Sequence, residues 1–369
     1  MIDRLFNLTG MITIAWIGFC QSMFASILMF TKKGRSLPDK ILSVWLVLIA
    51  MDFMICGLDY EIFGKPMLSS SFLLFNPSLY LYIRSLTQPD YRLKPYHVFH
   101  LLPFIVFEFL TYLFREPFSL DTFFIHDAYF IFRLFFGSAI FLSWCAYIPL
   151  SLMLVHKHRM YLRNEWSNIE KNESLSWLLA FAVFYVVYCL FAVIITFIAY
   201  YNRLNPLTPH IYNYSTLLLL VYIMSFYGLR QQIPSKRILS EELLLIPYKN
   251  STLSPELKQQ IQQNIIHYFK VEKAYLNPEL DMRVLSDHLN IPKYQITEVL
   301  NTSIGMNFFQ FVNSYRVEAV KEMLANPNNK YSIEAIGYEC GFTSKSSFYT
   351  VFKNITGETP IAYRNKIMS

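Results

Sequence analysis

The first 230 residues consist of apolar runs separated by short polar breaks, whereas the rest of the chain mixes charged and apolar residues in ordinary proportions. Seven runs approach the roughly 20 apolar residues that a membrane-spanning helix requires. They are residues 9–30, 41–60, 68–86, 98–114, 128–155, 176–200 and 211–229. The third run is the weakest, because it is short and contains Asn76 and Pro77. The pattern predicts a transmembrane domain (1–230), a juxtamembrane linker (231–253) and a soluble domain (254–369).

The basic residues between the runs indicate how the predicted helices are oriented. Lys and Arg concentrate in cytoplasmic loops, and with the N-terminus outside, eleven of them fall at inner loops and four at outer segments. Leaving out the third run would merge an inner loop with an outer loop and spoil this alternation. The first run is not a cleaved signal peptide, because its basic cluster follows the apolar stretch. We therefore expect a multi-pass protein of the inner (plasma) membrane whose C-terminal domain is cytoplasmic.

The composition agrees with a membrane protein. The 369 residues are 54% hydrophobic and 16% charged, with a mean hydropathy of +0.31, whereas soluble domains contain about 25% charged residues. These values argue against an ordinary soluble protein and against a disordered one. Four of the five cysteines lie inside apolar runs, so no disulfide framework is implied.

Three ionisable residues, Asp52, Glu108 and Arg133, lie within the apolar runs. A charge at the bilayer centre costs about 2.5–3.5 kcal/mol on insertion scales, so such residues call for an explanation. The predicted orientation places all three in the outer half of the membrane. One interpretation is a signal pocket in which Arg133 faces the two acids, and the other is a structural ion pair that holds helices together.

The chain contains none of the sequence motifs of a hydrolase, a phosphate-binding loop or a metal site that we considered: HExxH, GxSxG, the P-loop and paired CxxC. We therefore expect a protein that is not an enzyme and that has no catalytic residues, no metal and no cofactor.

Beyond Ser254 the spacing of apolar residues becomes helical. Two short amphipathic segments flank Asn290-Ile291-Pro292, a break that allows only a sharp turn. We expect apolar residues of the first segment to pack against the second, namely Val284, Leu285 and Leu289 against Ile296 and Leu300. This outline predicts a helix-turn-helix, whose second helix can enter the major groove of DNA. After a longer amphipathic helix the pattern repeats, with a break at Gly341 and an end at Gly357.

The segment from about Pro255 to Lys366 resembles the DNA-binding domain of the AraC/XylS transcription regulators. The second half carries the most specific part of the resemblance, in the family's order: Ile336, Gly341-Phe342, Ser344, Phe348, Phe352-Lys353, Gly357, Pro360 and Tyr363-Arg364. The first half adds Leu285, Leu300, Gly305, Phe311, Arg316, Ala319 and Leu324. More loosely, NPSLYLYIRSL followed by LLPF is similar to the membrane part of membrane-anchored AraC-type regulators of bacteria.

This resemblance implies an all-α domain that places two recognition helices in successive major-groove turns of double-stranded DNA. Carried over by position, the base-facing candidates are Tyr294, Thr297 and Glu298 in the first unit and Lys345, Ser346, Tyr349 and Thr350 in the second. Lys353 is the candidate for a phosphate contact. Glu can accept from cytosine, and Ser and Thr can bond to either groove-edge type. The family often has Arg where this chain has Glu298 and Thr350.

The predicted DNA-binding domain has little net charge. From Pro255 to Ser369 it contains twelve basic and eleven acidic residues, so it lacks the basic footprint of a tight nonspecific DNA binder. Dimerisation, or confinement that raises the effective concentration, would compensate. The expected partners are therefore promoter DNA, the lipid bilayer and a second copy of the chain.

The leading hypothesis is a one-component transcription regulator, in which an unknown small-molecule or envelope signal alters the packing of seven helices and the linker passes the change to the DNA-binding domain. One alternative is a transporter or intramembrane enzyme with a fused regulatory helix-turn-helix domain. The spans argue against it, because they show no inverted repeat and no clustered His or Asp chemistry. The other alternative is a membrane scaffold whose helical domain binds protein.

Overall fold

The computed structural model describes residues 2–67, 71–88, 91–117, 123, 125–169, 175–202, 207–231 and 253–368. Within these ranges every regular element is a helix, which confirms the predicted all-α fold. The chain divides into two compact units. The first comprises Met1–Val155 with Ser176–Ile238, and the second comprises His156–Leu175 with Leu239–Ser369. Apart from Gln231 and Leu253, the predicted linker lies outside the described residues.

Each of the predicted apolar runs lies on a helix of the first unit. These helices are α1 (Ile2–Thr31), α2 (Leu37–Phe63), α3 (Ser71–Thr87), α4 (Leu102–Phe114, after a 3₁₀ turn at Pro95–Leu101), α5 (Phe130–Glu165), α6 (Ser176–Tyr201) and α7 (Leu207–Arg230). Among the described residues, six helical segments are long and apolar enough to cross a membrane. Helix α3 is described from Ser71, directly after residues outside the described ranges, and it is not among these six segments. A seventh span therefore stays a prediction.

The first unit carries large apolar side chains on its outside and polar side chains inside. Phe109 and Phe135 are each 66% exposed. In the interior, the buried Asn76 side chain donates to the Ser143 hydroxyl at 2.9 Å and accepts from the Tyr185 hydroxyl at 2.6 Å. Monomeric soluble proteins rarely expose contiguous apolar surface of this kind, whereas helices that pack in lipid often hydrogen-bond to one another through polar side chains.

Helix α5 extends beyond the predicted apolar run. The predicted run ends at Val155, but the helix continues without a break through the polar sequence HKHRMYLRNE to Glu165. These residues carry charges but include good helix formers, so the charge pattern marks the end of the apolar run and not the end of the helix. The last turns of α5 belong to the second unit.

The second unit contains two helix-turn-helix units around a shared helix. Its helices are α8 (Pro255–Val271), α9 (Met282–Leu289), α10 (Lys293–Val299), α11 (Phe308–Ala325), α12 (Ile333–Glu339), α13 (Lys345–Thr356) and α14 (Pro360–Met368). The first half of α11 packs in one apolar core with α8, α9 and α10. Its second half packs in another core with α12 and α13. Helix α11 therefore links the two units.

The predicted turns of the second unit are confirmed. Asn290, between α9 and α10, has a φ of 52°, and Gly305 has a φ of 78° after the turn that follows α10. Of the residues predicted to pack across the first turn, Leu285, Ile296 and Leu300 are buried in one core, with Leu289 packed against it. The prediction for Val284 is wrong, because its side chain is 37% exposed.

Candidate nucleic-acid interface

Helix α13 presents the candidate DNA-binding residues of the second helix-turn-helix on one face. The Ser344 hydroxyl caps the start of the helix by accepting from the backbone N–H of Ser347 at 3.2 Å. Phe348, Val351 and Phe352 anchor the helix in the core. At 100° per residue, the opposite face carries Lys345, Ser346, Tyr349, Thr350 and Lys353. Tyr349 is half-buried and the other four are exposed.

Two neighbouring groups restrain Lys345. Its ammonium group forms an ion pair with Glu334 of α12 and lies 5.8 Å from the centre of the Tyr349 ring. The hydrogen bond to Glu334 raises the pKa of Lys345 above its usual value. The Thr350 hydroxyl donates to the Ser346 carbonyl at 2.8 Å, so its oxygen remains available to accept a hydrogen bond. This face therefore offers cationic, aromatic and hydroxyl groups together.

In the first helix-turn-helix, the accessible face of α10 carries Lys293, Tyr294 and Thr297. Tyr294 is 42% exposed, and Lys293 and Thr297 are half-buried. The Thr297 hydroxyl donates to the carbonyl of Lys293 at 2.8 Å. Lys293 is missing from the candidates chosen from the sequence. A basic residue at the first position of a recognition helix was the signal that could have found it, since the N-terminal residues of that helix approach DNA.

Glu298 lies at the edge of this face and points towards α8. It is only 4% exposed, and its carboxylate forms an ion pair with Lys258 at 2.8 Å. Lys258 lies forty residues earlier in the chain, so the spacing of residues within α10 gives no indication of this pair. Base contact by Glu298 stays a prediction, and it would require the carboxylate to leave Lys258.

Between the two helix-turn-helix units lies a buried polar cluster centred on Arg316 of α11. The guanidinium donates to the carbonyls of Tyr275 and Asn277 at 2.8 and 3.0 Å. It also donates to the carbonyl and the hydroxyl of Ser167, at 3.2 and 3.1 Å. Burial lowers the pKa of Arg316 to about 9, so the side chain is still protonated at neutral pH. The sequence analysis found no role for Ser167, and no local pattern marks it.

Gly341 brings the second helix-turn-helix close to the segment that precedes the first helix-turn-helix. Its φ is 89°, a conformation that favours glycine, and a Cβ added there would lie 2.5 Å from the carbonyl oxygen of Tyr275. Only glycine allows this backbone approach. The turn between α12 and α13 is thereby held beside the segment that precedes α9.

In the compact unit that contains the predicted spans, Arg133 and Asp52 contact residues outside the predicted pocket. The fully buried Arg133 donates to the Asp127 carboxylate at 2.5 Å and to the Ile125 carbonyl at 2.6 Å, and Glu116 lies 3.9 Å away. The hydrogen bond from Arg133 lowers the pKa of Asp127. Asp52 is buried and accepts from the Ser71 hydroxyl at 2.6 Å, and Glu108 is half-buried. A signal pocket made by Asp52, Glu108 and Arg133 stays a prediction.

A family model described as a helix-turn-helix domain matches residues 285–366, which contain α10 to α13 in full. Over 135 residues, the chain is 25% identical to "Regulatory protein PocR" of Salmonella typhimurium, a match that covers 35% of this chain and 44% of that protein. The C-terminal domain is an AraC-type helix-turn-helix domain. This confirms the resemblance seen in the sequence.

The chain is similar to two further proteins. Over 108 residues it is 29% identical to an uncharacterized HTH-type transcriptional regulator of Staphylococcus aureus, covering 28% of this chain and 14% of that protein. A solved structure of a protein with unknown function from Listeria innocua is 28% identical, with a TM-score of 0.26, and covers 29% of this chain and 96% of that chain. The chain thus spans less than half the length of the curated relatives that it matches.

Proposed function

We propose that this protein is a membrane-integrated, sequence-specific transcription regulator that couples a signal at the outer face or within the bilayer to promoter binding. In this proposal the first unit senses the signal, and the AraC-type domain binds double-stranded DNA in the cytoplasm. No phosphorelay is needed, because the two functions lie on one chain.

The observation that carries the DNA-binding part is the exposed face of α13. Lys345, Ser346, Tyr349, Thr350 and Lys353 lie opposite the side chains that anchor this helix in the core. Lys353 suits a phosphate, which positions the protein, whereas Ser346 and Thr350 suit base edges, which specify sequence. Tyr294 and Thr297 extend the same chemistry to a second recognition helix.

The membrane part is supported by the surface of the first unit. Six segments of the described residues are long and apolar enough to span a bilayer, and their large side chains are exposed where a soluble protein would bury them. We therefore expect the protein to remain in the membrane pellet after extraction with alkaline carbonate. Release into the supernatant would contradict membrane integration.

The experiment that tests the DNA-binding part uses the full-length protein in lipid nanodiscs. The protein captures fragments of sheared genomic DNA, and the bound fragments are sequenced at several salt concentrations. We expect a shared motif with two contacted segments about one helical turn, or 10 base pairs, apart. The double variant Lys345→Ala/Thr350→Ala should lose the motif, and Lys270→Ala, on exposed α8, should keep it. Capture of no common sequence at low salt would contradict the proposal.

A further inference from the structure

Four residues at and just beyond the C-terminal end of α5 are built into the AraC-type domain. We call Glu165–Asn168 the docking segment. Glu165, Ser167 and Asn168 are buried within the second unit, although more than a hundred residues separate them from their partners in sequence. Trp166, between them, pairs with Asp281 in an isolated antiparallel bridge. Such burial requires specific polar partners, because an unpaired buried polar group is unfavourable.

Ser167 satisfies the buried charge at the centre of the domain. Its carbonyl accepts from Arg316 at 3.2 Å and from the Asn313 side chain at 3.0 Å. Its hydroxyl accepts from Arg316 at 3.1 Å and donates to the Leu280 carbonyl. Ser167 therefore supplies acceptor oxygens to two buried side chains of the AraC-type domain, Arg316 and Asn313.

Asn168 contacts both helix-turn-helix units at once. Its side-chain amide donates to the Pro278 carbonyl at 2.9 Å and to the Gly341 carbonyl at 3.0 Å. Pro278 precedes the first unit, and Gly341 lies in the turn of the second. The docking segment consequently fills the seam where the two helix-turn-helix units meet around α11.

Glu165 engages the first recognition helix. Its carboxylate forms an ion pair at 2.8 Å with Lys293, the first residue of α10, and the Glu165 side chain is only 8% exposed. At this position in a recognition helix, an ammonium group is suited to a DNA phosphate. A carboxylate on Lys293 offers the same kind of acceptor oxygen as a phosphate, so Glu165 and DNA compete for one ammonium group.

We propose that the docking segment is an intramolecular ligand of the AraC-type domain and that it restrains DNA binding by holding Lys293. Helix α5 runs from Phe130 to Glu165, with Pro149 inside it, so the docking segment follows the fifth predicted run along the same helix. The fifth predicted span thus provides a connection to the DNA-binding domain besides the 231–253 linker. This inference rests on the proposed function.

The docking itself can be tested by a disulfide in the full-length protein in nanodiscs. Residues paired in an antiparallel bridge have the Cα separation that a disulfide accepts, so Trp166→Cys/Asp281→Cys should crosslink nearly completely under mild oxidation. The exposed Cys20 and Cys145 are replaced by Ser in all variants. The control pair, Lys157→Cys/Asp281→Cys, starts about 13 Å farther back along α5 and should crosslink poorly. Equal, low yields for both pairs would overturn the docking.

The restraint on DNA binding is tested by a double-mutant cycle with the captured promoter fragment. We expect Glu165→Gln to bind DNA about threefold to fivefold more tightly, the size expected when one partly exposed ion pair no longer competes. Glu318→Gln removes the same charge from an exposed pair with Lys321 on α11 and should change affinity much less. In a Lys293→Gln background, Glu165→Gln should have no further effect.

Three outcomes separate this inference from the proposed function. Equal affinities of Glu165→Gln and Glu318→Gln would overturn the restraint. A full effect of Glu165→Gln in the Lys293→Gln background would overturn the role of Lys293. If no variant binds DNA, the proposed function and the restraint both fail, while a high crosslinking yield would still establish the docked segment.

Discussion

Arg316 is buried in the AraC-type domain with its positive charge, and oxygens of the backbone and of Ser167 accept its hydrogen bonds. A guanidinium has five N–H donors in a rigid plane, so it can link several carbonyls that no apolar residue would satisfy. It is thus the common partner of the docking segment, the segment before α9 and α11. The position of one side chain determines how three parts of the domain meet.

Replacing Arg316 should destabilise the domain strongly. Arg316→Met keeps much of the volume but removes one donor from each of the carbonyls of Tyr275, Asn277 and Ser167, and an unpaired buried group costs about 1–3 kcal/mol. We expect a loss of about 3 kcal/mol in the opening free energy of α11, measured by amide hydrogen exchange on the full-length protein. Arg283→Met, at an exposed pair with Asp287, should change it by about 0.5 kcal/mol or less. Similar losses for both variants would contradict the role given to Arg316.

At this scale the sequence identifies side chains better than their partners. Periodicity within α13 selects a face that the fold leaves accessible, because the apolar positions of the same helix fix its orientation. The same reasoning does not foresee the burial of Glu298, since its partner Lys258 lies on another helix. It also does not foresee Lys293 with Glu165, which are 128 residues apart. Ion pairs between distant segments depend on the tertiary fold and leave no local pattern.

At the scale of elements, the recognition helices combine an anchored face with an accessible one. In α13 the residues Phe348 and Phe352 fix the rotation of the helix, so Lys353 points away from the core. The domain has almost no net charge. Each lysine on this face therefore contributes a larger share of the attraction to DNA phosphates than it would in a strongly basic domain.

Lys353→Gln should weaken DNA binding without changing sequence preference. Loss of one phosphate contact reduces the slope of log affinity against log salt by about 0.9 for duplex DNA, and it weakens specific and nonspecific fragments alike. Binding titrations from 50 to 300 mM salt measure both effects. Lys270→Gln, on α8, is the control and should leave the slope unchanged. A changed motif with an unchanged slope would mean that Lys353 reads bases.

Gly341→Ala should destabilise the seam between the two helix-turn-helix units more than an ordinary glycine substitution does. At Gly357, where φ is 81° and open space surrounds an added Cβ, alanine meets only the conformational cost of about 1–2 kcal/mol. At Gly341 the added Cβ also meets the Tyr275 carbonyl oxygen at 2.5 Å. Such overpacking costs a further ~1–3 kcal/mol. Thermal unfolding or hydrogen exchange of the full-length variants measures the difference. Equal destabilisation would show that the backbone relaxes without cost.

The sequence predicts the elements themselves well, for physical reasons that are local. Apolar runs, Ser254 at the start of α8, and Gly305 and Gly357 at left-handed positions each act within a few residues. The apolar run does not mark the end of α5, where charged residues continue the helix to Glu165. That extension leads into the docking segment, on which the proposed restraint of DNA binding depends.

For the whole molecule, the proposed membrane integration makes the number of spans decide on which side of the membrane the AraC-type domain lies. With α3 as a span there are seven, and an N-terminus outside leaves the domain in the cytoplasm with DNA. Without α3 there are six, and both ends of the chain lie on one side. The basic residues favour seven, whereas the described part of α3 is not among the six described segments that are long and apolar enough to cross a membrane.

Accessibility of single cysteines on either side of α3 tests this topology. Lys65 precedes the helix and Arg92 follows it, and both side chains are exposed. The cells have a permeabilised outer membrane and an intact inner membrane, and Cys20 and Cys145 are replaced by Ser. Under these conditions a membrane-impermeant thiol reagent should label Lys65→Cys. Arg92→Cys should be labelled only after the inner membrane is disrupted. If α3 does not cross, the two positions lie on one side and react alike. That result would disturb the alternation of basic loops, and it would place either the N-terminus or the DNA-binding domain on the side opposite to the one proposed.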